Sequence, residues 1–259
     1  MDTIKIVFFD IDGTLIDMKK KRISEKTLEA LIHLKEKNII LCLATGRSPL
    51  GLPHINGIEF DAFLTFNGSY CFNKQQSIFS NPIPAIDVKK IISNAASLNR
   101  PVSIATKGRL ISNGKDEDLK EYHSFANLEV NVAEDFNDVL HHEKIYQVLV
   151  GCREKDYPEL MKNISHAKIT AWWDRAVDII PTNSSKGIGI DKILEYYHLD
   201  KTEALAFGDG NNDIEMLQAV GLGIAMGNAS EKLKAVADDI CGNVENEGIY
   251  YYCKEHELI

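Results

Sequence analysis

IKIVFF at residues 4–9 running into DIDGTL at residues 10–15 decides the fold of this chain. A segment that is apolar nearly throughout stops abruptly at Asp10, and Gly13 follows within the next turn. Such a run suits a strand covered on both faces, ending in a sharp bend that carries two acidic residues. Outward from it the pattern repeats. Ser24 is placed to cap a helix on which Leu28, Leu31, Ile32 and Leu34 line one face. IILCLA at 39–44 reads as a second buried strand and ends in Thr45-Gly46-Arg47, with Pro49 and Pro53 close behind to keep any following helix short. Residues 62–66 read as a third strand, ending in the turn pair Asn67-Gly68. After Pro181 the rhythm returns: a helix over 186–197, a strand at 204–207 running into GDGNND at 208–213, a helix from about Asn212, and a strand at 222–226. Strands alternating with helices predict a parallel sheet with helices on its faces.

Between these two stretches the pattern changes. Short strands are predicted at 70–72 and 77–79, then a helix over 85–98 with Val88, Ile91, Ile92, Ala95 and Leu98 as its apolar stripe. More strands are predicted at 102–106, 128–132, 145–150, 169–173 and 176–180, with a helix at 116–125. The expectation is an α/β protein: a parallel-sheet core built from residues 1–80 and 182–259, with an α+β domain inserted at 81–181. In that insert Trp172 and Trp173 are adjacent on a predicted strand and face opposite ways, one toward the core and one available to stack on a ligand ring. Asp174 and Arg175 are read as a hairpin turn, and His141 and His142 as surface residues.

Composition narrows the function. Hydrophobic residues are 44% and charged residues 26%, which excludes a disordered chain. Lys+Arg is 29 against 38 Asp+Glu, a net charge of −9, which argues against a nucleic-acid backbone binder. A local electropositive site for a small phosphorylated ligand remains open. The cysteines, Cys42, Cys71, Cys152, Cys241 and Cys253, form no CxxC pair and are read as buried free thiols of a reducing cytosol. No signal peptide is recognised, and no apolar stretch approaches the roughly 20 residues of a membrane span. A cytoplasmic protein without membrane or nucleic-acid partners, monomeric or weakly oligomeric, is the expectation.

Four short segments sit at or near element ends: Asp10-Ile11-Asp12-Gly13-Thr14, Thr45-Gly46-Arg47, Lys186, and Gly208-Asp209-Gly210-Asn211-Asn212-Asp213. Ligands of an open parallel sheet bind outside the carboxyl ends of its strands, so these polar residues can converge. Asp10, Asp12, Asp209 and Asp213 would then place up to four carboxylates in one cleft, where they repel unless a cation joins them. Oxygen-only ligands with open water positions favour Mg2+ over Ca2+. Thr45, the amides around it and Lys186 supply donors and positive charge suited to phosphate. Asp10 and Asp12, two apart on an extended segment, would face the same way and divide the labour of nucleophile and proton carrier.

These segments and their order resemble the four motifs of the haloacid dehalogenase superfamily. The insert between the second and third motifs, starting near Asn67-Gly68 and ending before Lys186-Gly187, resembles the cap of its Cof-type sugar phosphatase branch. GIAMGNA at 223–229 is similar to the C-terminal signature of that branch. The resemblance implies a Rossmann-like core with an α+β cap that closes over the site and selects the leaving group. It implies Asp10 as phosphoryl-accepting nucleophile and Mg2+ ligand, and Asp12 as general acid/base with its backbone carbonyl on the metal. Thr45 and Gly46 would hold phosphate, and Lys186 would bridge nucleophile and phosphate. Asp209 would be the third protein ligand of Mg2+, Asn212 would touch phosphate or its neighbours, and Asp213 would orient the metal shell. A Mg2+-dependent phosphatase of small phosphorylated metabolites, sugar phosphates first, follows, with a phosphomutase sharing every motif.

Taken singly, each motif has a plainer reading. DxDG also opens EF-hand loops, but the sixth position counted from Asp10 is Leu15 and the twelfth is Lys21, which removes calcium of that kind. Gly221 to Gly227 lacks the spacing of a dinucleotide fingerprint. From another class, a receiver-type signalling domain also pairs acidic residues with Mg2+, but it is about half this length and carries its acceptor on a later strand.

Overall fold

The structure is a computed structural model that describes residues 4–126, 128–171 and 173–259. By Cα proximity these fall into two compact units, one of residues up to 46, 53–80 and 185–259, the other of residues 47–52 and 81–184. The first is built on an eight-stranded sheet of order β13-β12-β11-β1-β2-β3-β4-β5. Its strands are β1 (Ile6–Phe9), β2 (Ile40–Ala44), β3 (Ala62–Thr65), β4 (Tyr70–Asn73), β5 (Ser77–Ser80), β11 (Ala204–Gly208), β12 (Leu222–Ala225) and β13 (Asp239–Ile240). From β13 to β3 neighbours run parallel, while β4 and β5 are added as antiparallel hairpins. The apolar run of β1 is buried at every position, as a central strand covered on both faces requires. Phe9 stacks on Phe207 of β11 with ring centroids 5.6 Å apart.

Helix α1 (Glu25–Glu36) begins at Ser24, whose hydroxyl accepts the Thr27 amide as predicted. Its buried face is Thr27, Ala30, Leu31 and Leu34, so the expected stripe is rotated: Leu28 and Ile32 lie half-buried at its margin. Helix α6 (Lys186–Tyr197) is capped by Ser185, which accepts the Ile188 amide. It packs so tightly that Gly68, at φ +90°, has no room for a side chain: a Cβ there would collide with the Ser185 carbonyl. The unit is completed by α7 (Ile214–Gln218), α8 (Glu231–Lys234) and α9 (Gly248–Glu255), the last seating Tyr252 edge-on against Phe207. Glu245 and Glu247 precede α9, in a 3-10 turn at Val244–Asn246 and the residue after it.

The second unit is an antiparallel sheet of order β7-β6-β8-β10-β9, made of β6 (Val102–Ala105), β7 (Leu110–Ser112), β8 (Gln147–Gly151), β9 (Ala167–Thr170) and β10 (Ala176–Pro181). On one face Val102, Ile104, Val148, Val150, Val177 and Ile179 form a core with α2 (Ala85–Ser97), α4 (Phe136–His142) and α5 (Tyr157–Leu160). On the other face lies α3 (Glu117–Ser124), whose His123 bonds Ser103 Oγ at 3.0 Å. Some expectations need correction. Residues 128–132 form no strand: Leu128 and Val132 are exposed, and only Val132 bridges to Ser112. Strand β9 stops at Thr170, so Trp173 lies in the following bend, where it stacks on Tyr122 at 5.9 Å. Trp172 lies outside the described residues. Helix α4 went unpredicted, since only Phe136 and Val139 of its residues are buried. Pro49 opens a single 3-10 turn that ends at Gly51. All five cysteines are free and buried. Among the described residues no helix is long and apolar enough to cross a membrane.

One ion cluster ties this unit together. Asp118, on α3, accepts from Arg100 and Arg153 through Oδ2 at 3.1 and 2.9 Å, and from Arg175 through Oδ1 at 2.7 Å. Arg175, read as a turn residue, is thus engaged here and with Glu121. The Arg153 hydrogen bond leads, burial opposes it, and with Arg175 the Asp118 carboxyl is held at about 2. Because the folded value lies below the unfolded one of about 3.9, the stabilisation is present above pH 4 and is lost as pH falls toward 2. Asp118→Asn is expected to cost about 2 kcal/mol at pH 7 in urea unfolding. That difference should shrink between pH 4 and pH 2; a constant difference across that range would contradict the ion cluster.

Candidate active site

Strand β1 lies between β2 and β11, and the shared register pairs Phe9 with Leu43 on one side and with Phe207 on the other. Asp10, Thr45 and Asp209 therefore emerge side by side at the carboxyl end of the sheet. The chain moves from β1 to β2 and β3 in one direction, and its later strands β11 to β13 extend in the other. The crevice between β1 and β11 is a switch point of the kind where open parallel sheets bind ligands.

Three carboxylates meet there. Asp10, Asp209 and Asp213 each offer an oxygen within 4.8 Å of the others. Lys186, at the first position of α6 and with no solvent exposure, donates to Asp10 Oδ1 and to Asp213 Oδ1, both at 2.5 Å. Burial alone would lower the Lys186 pKa, but Asp10 and Asp213 overcome it and hold the ammonium above its ordinary value. Burial raises the Asp10 carboxyl well above its usual range; Lys186 works against this, and Asp213 and Asp209 add to it. Asp209 is pushed up to about 6, first by burial and then by Asp213, with Thr14 partly offsetting. Three carboxyl groups face one ammonium, so ionising all three would leave two uncompensated negative charges.

The backbone is shaped around that cluster. At Gly13, φ is +90°, and a Cβ would collide with Asp209 Oδ2. Thr14 Oγ1 donates to Asp209 Oδ1 at 2.9 Å, joining the two acid-bearing turns. Asp213 is fully engaged: Oδ2 accepts the amides of Asp209 and Gly210, both at 2.9 Å, while Oδ1 holds Lys186. It shapes the turn that carries Asp209. The Asp12 carboxylate is not in the group of three. The Asp10 amide still bonds the Phe207 carbonyl at 3.0 Å, and the chain turns after Ile11, whose carbonyl accepts from both Leu15 and Ile16.

Thr45 is buried, and its amide is taken by the Leu64 carbonyl at 2.9 Å, so its own N–H does not serve an anion. Gly46 is seated against the Asn67 amide, and the exposed Asn212 donates to Asn67 Oδ1 at 3.2 Å. Asn67, taken from the sequence as a turn residue only, thus stands among the phosphate-holding candidates. Its φ of +51° and its amide bond to the Thr45 carbonyl fix that place. His141 and His142 are exposed and bond helix carbonyls in the other unit.

The donor set is all oxygen, close enough to share one ion and carrying excess negative charge, so these residues fit a metal cation. Asp10 and Asp209 would hold it, with Asp213 fixing the turn. The Lys186 counter-charge has a measurable consequence. Lys186→Met removes the charge that holds the Asp10 carboxyl down, so its folded pKa rises further above the unfolded one. The resulting loss is therefore small at acid pH and grows as pH rises. In metal-free protein it should cost about 3 kcal/mol at pH 8 and clearly less at pH 5, read by urea unfolding; equal stability to wild type at pH 8 would contradict the charge arrangement.

Comparison with known proteins finds relatives over nearly the whole chain. The family model of haloacid dehalogenase-like hydrolases matches residues 7–253. YkrA of Bacillus subtilis (strain 168) is 30% identical over 262 residues, covering 98% of each chain. YitU of the same organism, a 5-amino-6-(5-phospho-D-ribitylamino)uracil phosphatase, is 28% identical over 265 residues, covering 97% of each. A solved subclass IIB sugar phosphatase is 29% identical with a TM-score of 0.84, covering 98% of this chain and 100% of that one.

Proposed function

The chain belongs to the haloacid dehalogenase-like hydrolases and is a phosphoric monoester hydrolase, and we propose that it is a Mg2+-dependent phosphatase of small phosphorylated metabolites, sugar phosphates first. One observation carries the mechanism: a buried carboxylate, Asp10, is held by a buried ammonium at the switch point of the sheet, beside two further carboxylates. Mg2+, bound by Asp10, Asp209 and the Asp12 carbonyl, would supply charge that offsets repulsion between a carboxylate and an incoming phosphate.

The protein groups do the rest. Lys186 keeps one Asp10 oxygen engaged and orients the carboxylate, leaving the other oxygen to bond to phosphorus. Thr45, Gly46 and Asn212 hold the phosphate. As Asp10 bonds to phosphorus, the bond to the leaving alcohol breaks and Asp12 delivers a proton to it. Asp12 then takes a proton from water as that water attacks phosphorus, releasing inorganic phosphate and restoring Asp10. A sugar or polyol phosphate is supported by one relative named for a phosphorylated ribityl compound and one solved neighbour titled a sugar phosphatase. Five buried free thiols support a reducing, cytoplasmic working place.

Asp10→Asn keeps size and a hydrogen-bonding oxygen but removes the nucleophile. It should lower phosphate release by about three orders of magnitude or more while leaving the far-UV spectrum unchanged. A panel of sugar, polyol and nucleotide phosphates, with and without Mg2+, supplies the assay. Substantial turnover by the Asn variant would contradict the nucleophile, and an isomerised sugar phosphate in place of free phosphate would contradict the phosphatase.

A further inference from the structure

GIAMGNA at 223–229 takes no part in the chemistry described so far. Its end forms the turn between β12 and α8, and that turn reaches both acid-bearing turns. Asn228 Nδ2 donates to the Gly13 carbonyl at 2.8 Å, while Asn228 Oδ1 accepts the Val244 amide at 2.8 Å. The backbone partners fix which end of the amide is which, because a carbonyl only accepts and an N–H only donates. Two residues on, the Ser230 amide donates to the Asp209 carbonyl at 3.0 Å and its hydroxyl donates to Asn211 Oδ1 at 2.7 Å. The turn is itself tied to the sheet by Met226, whose amide donates to the Gly208 carbonyl at 2.9 Å.

One short segment therefore grips the turn bearing Asp10 and Asp12 with one hand and the turn bearing Asp209 with the other. The separation of these turns sets the width of any cation site between them. Carboxylates with excess negative charge tend to push the turns apart, and the grip opposes that. Asn228 is exposed, so no core packing asks for an amide at this position. We propose that Asn228 is a positioning residue for the metal ion: by holding the Gly13 carbonyl against a turn that also anchors Asp209, it sets the spacing of the ion's ligands before the ion arrives. This rests on the reading that a divalent cation binds between Asp10 and Asp209.

The test is Mn2+ binding to the full-length protein, followed by electron paramagnetic resonance, with unfolding in EDTA measured alongside. Two variants are compared with wild type. Asn228→Ala removes both contacts, and Asn228→Asp keeps an acceptor for Val244 while losing the donor to Gly13. Both variants are expected to weaken Mn2+ binding about tenfold to hundredfold, as loss of an outer ligand support does. The Asp variant should do so with its EDTA unfolding midpoint close to wild type. Variants that bind Mn2+ within about twofold of wild type would overturn the proposal, whatever their stability. A wild-type protein that binds no Mn2+ would overturn the metal reading and this proposal with it.

Discussion

An ammonium with no contact to solvent, Lys186, is shared by two buried carboxylates while a third stands beside them. Much of the first unit follows from the charge this leaves. A buried ion pair can balance its desolvation only when the geometry is good and the other hydrogen-bonding positions are satisfied. Here Asp213 meets that condition, with both oxygens engaged, but Asp10 and Asp209 do not neutralise each other. Their raised pKa values express an arrangement that is incomplete with protein groups alone.

The sheet is what makes such an arrangement affordable in entropy. Residues distant in sequence are brought together because parallel strands β1, β2 and β11 end at the same level. Each acid is fixed by a turn whose backbone has few alternatives: Gly13 where a side chain would strike Asp209, Asp213 where two amides must be capped. The α6 helix delivers Lys186 from its first position, and the missing side chain of Gly68 lets that helix start come close. Rigid supports of this kind hold buried carboxylates in place without relying on a ligand to organise them.

The core strands could be read from the sequence because burial on both faces leaves an unbroken apolar run, as in residues 6–9 and 40–44. The polar turns could be read because each begins where such a run stops. What escaped was set by tertiary context. The inward face of α1 is centred on Thr27 and Ala30, small residues that a search for large apolar side chains passes over. The β-rich segment at 128–132 has no neighbour to pair along its length, and it remains irregular beyond one bridge. Asn67 acts through contacts with residues far away in the chain, for which local sequence carries no signal beyond the turn chemistry of Asn itself, and GIAMGNA stood out only as a stretch, with nothing in it to show that Asn228 reaches Gly13.

The central claim is that excess buried negative charge makes this site a receptor for a divalent ion. Calorimetric titration with Mg2+ near pH 6, repeated in two buffers of different ionisation enthalpy, tests it directly. Because Asp209 is held at about 6 and Asp10 is also raised, ion binding should expel protons, and the apparent heat should differ between the buffers for a single site. Absence of binding, or binding whose heat is the same in both buffers, would contradict the account.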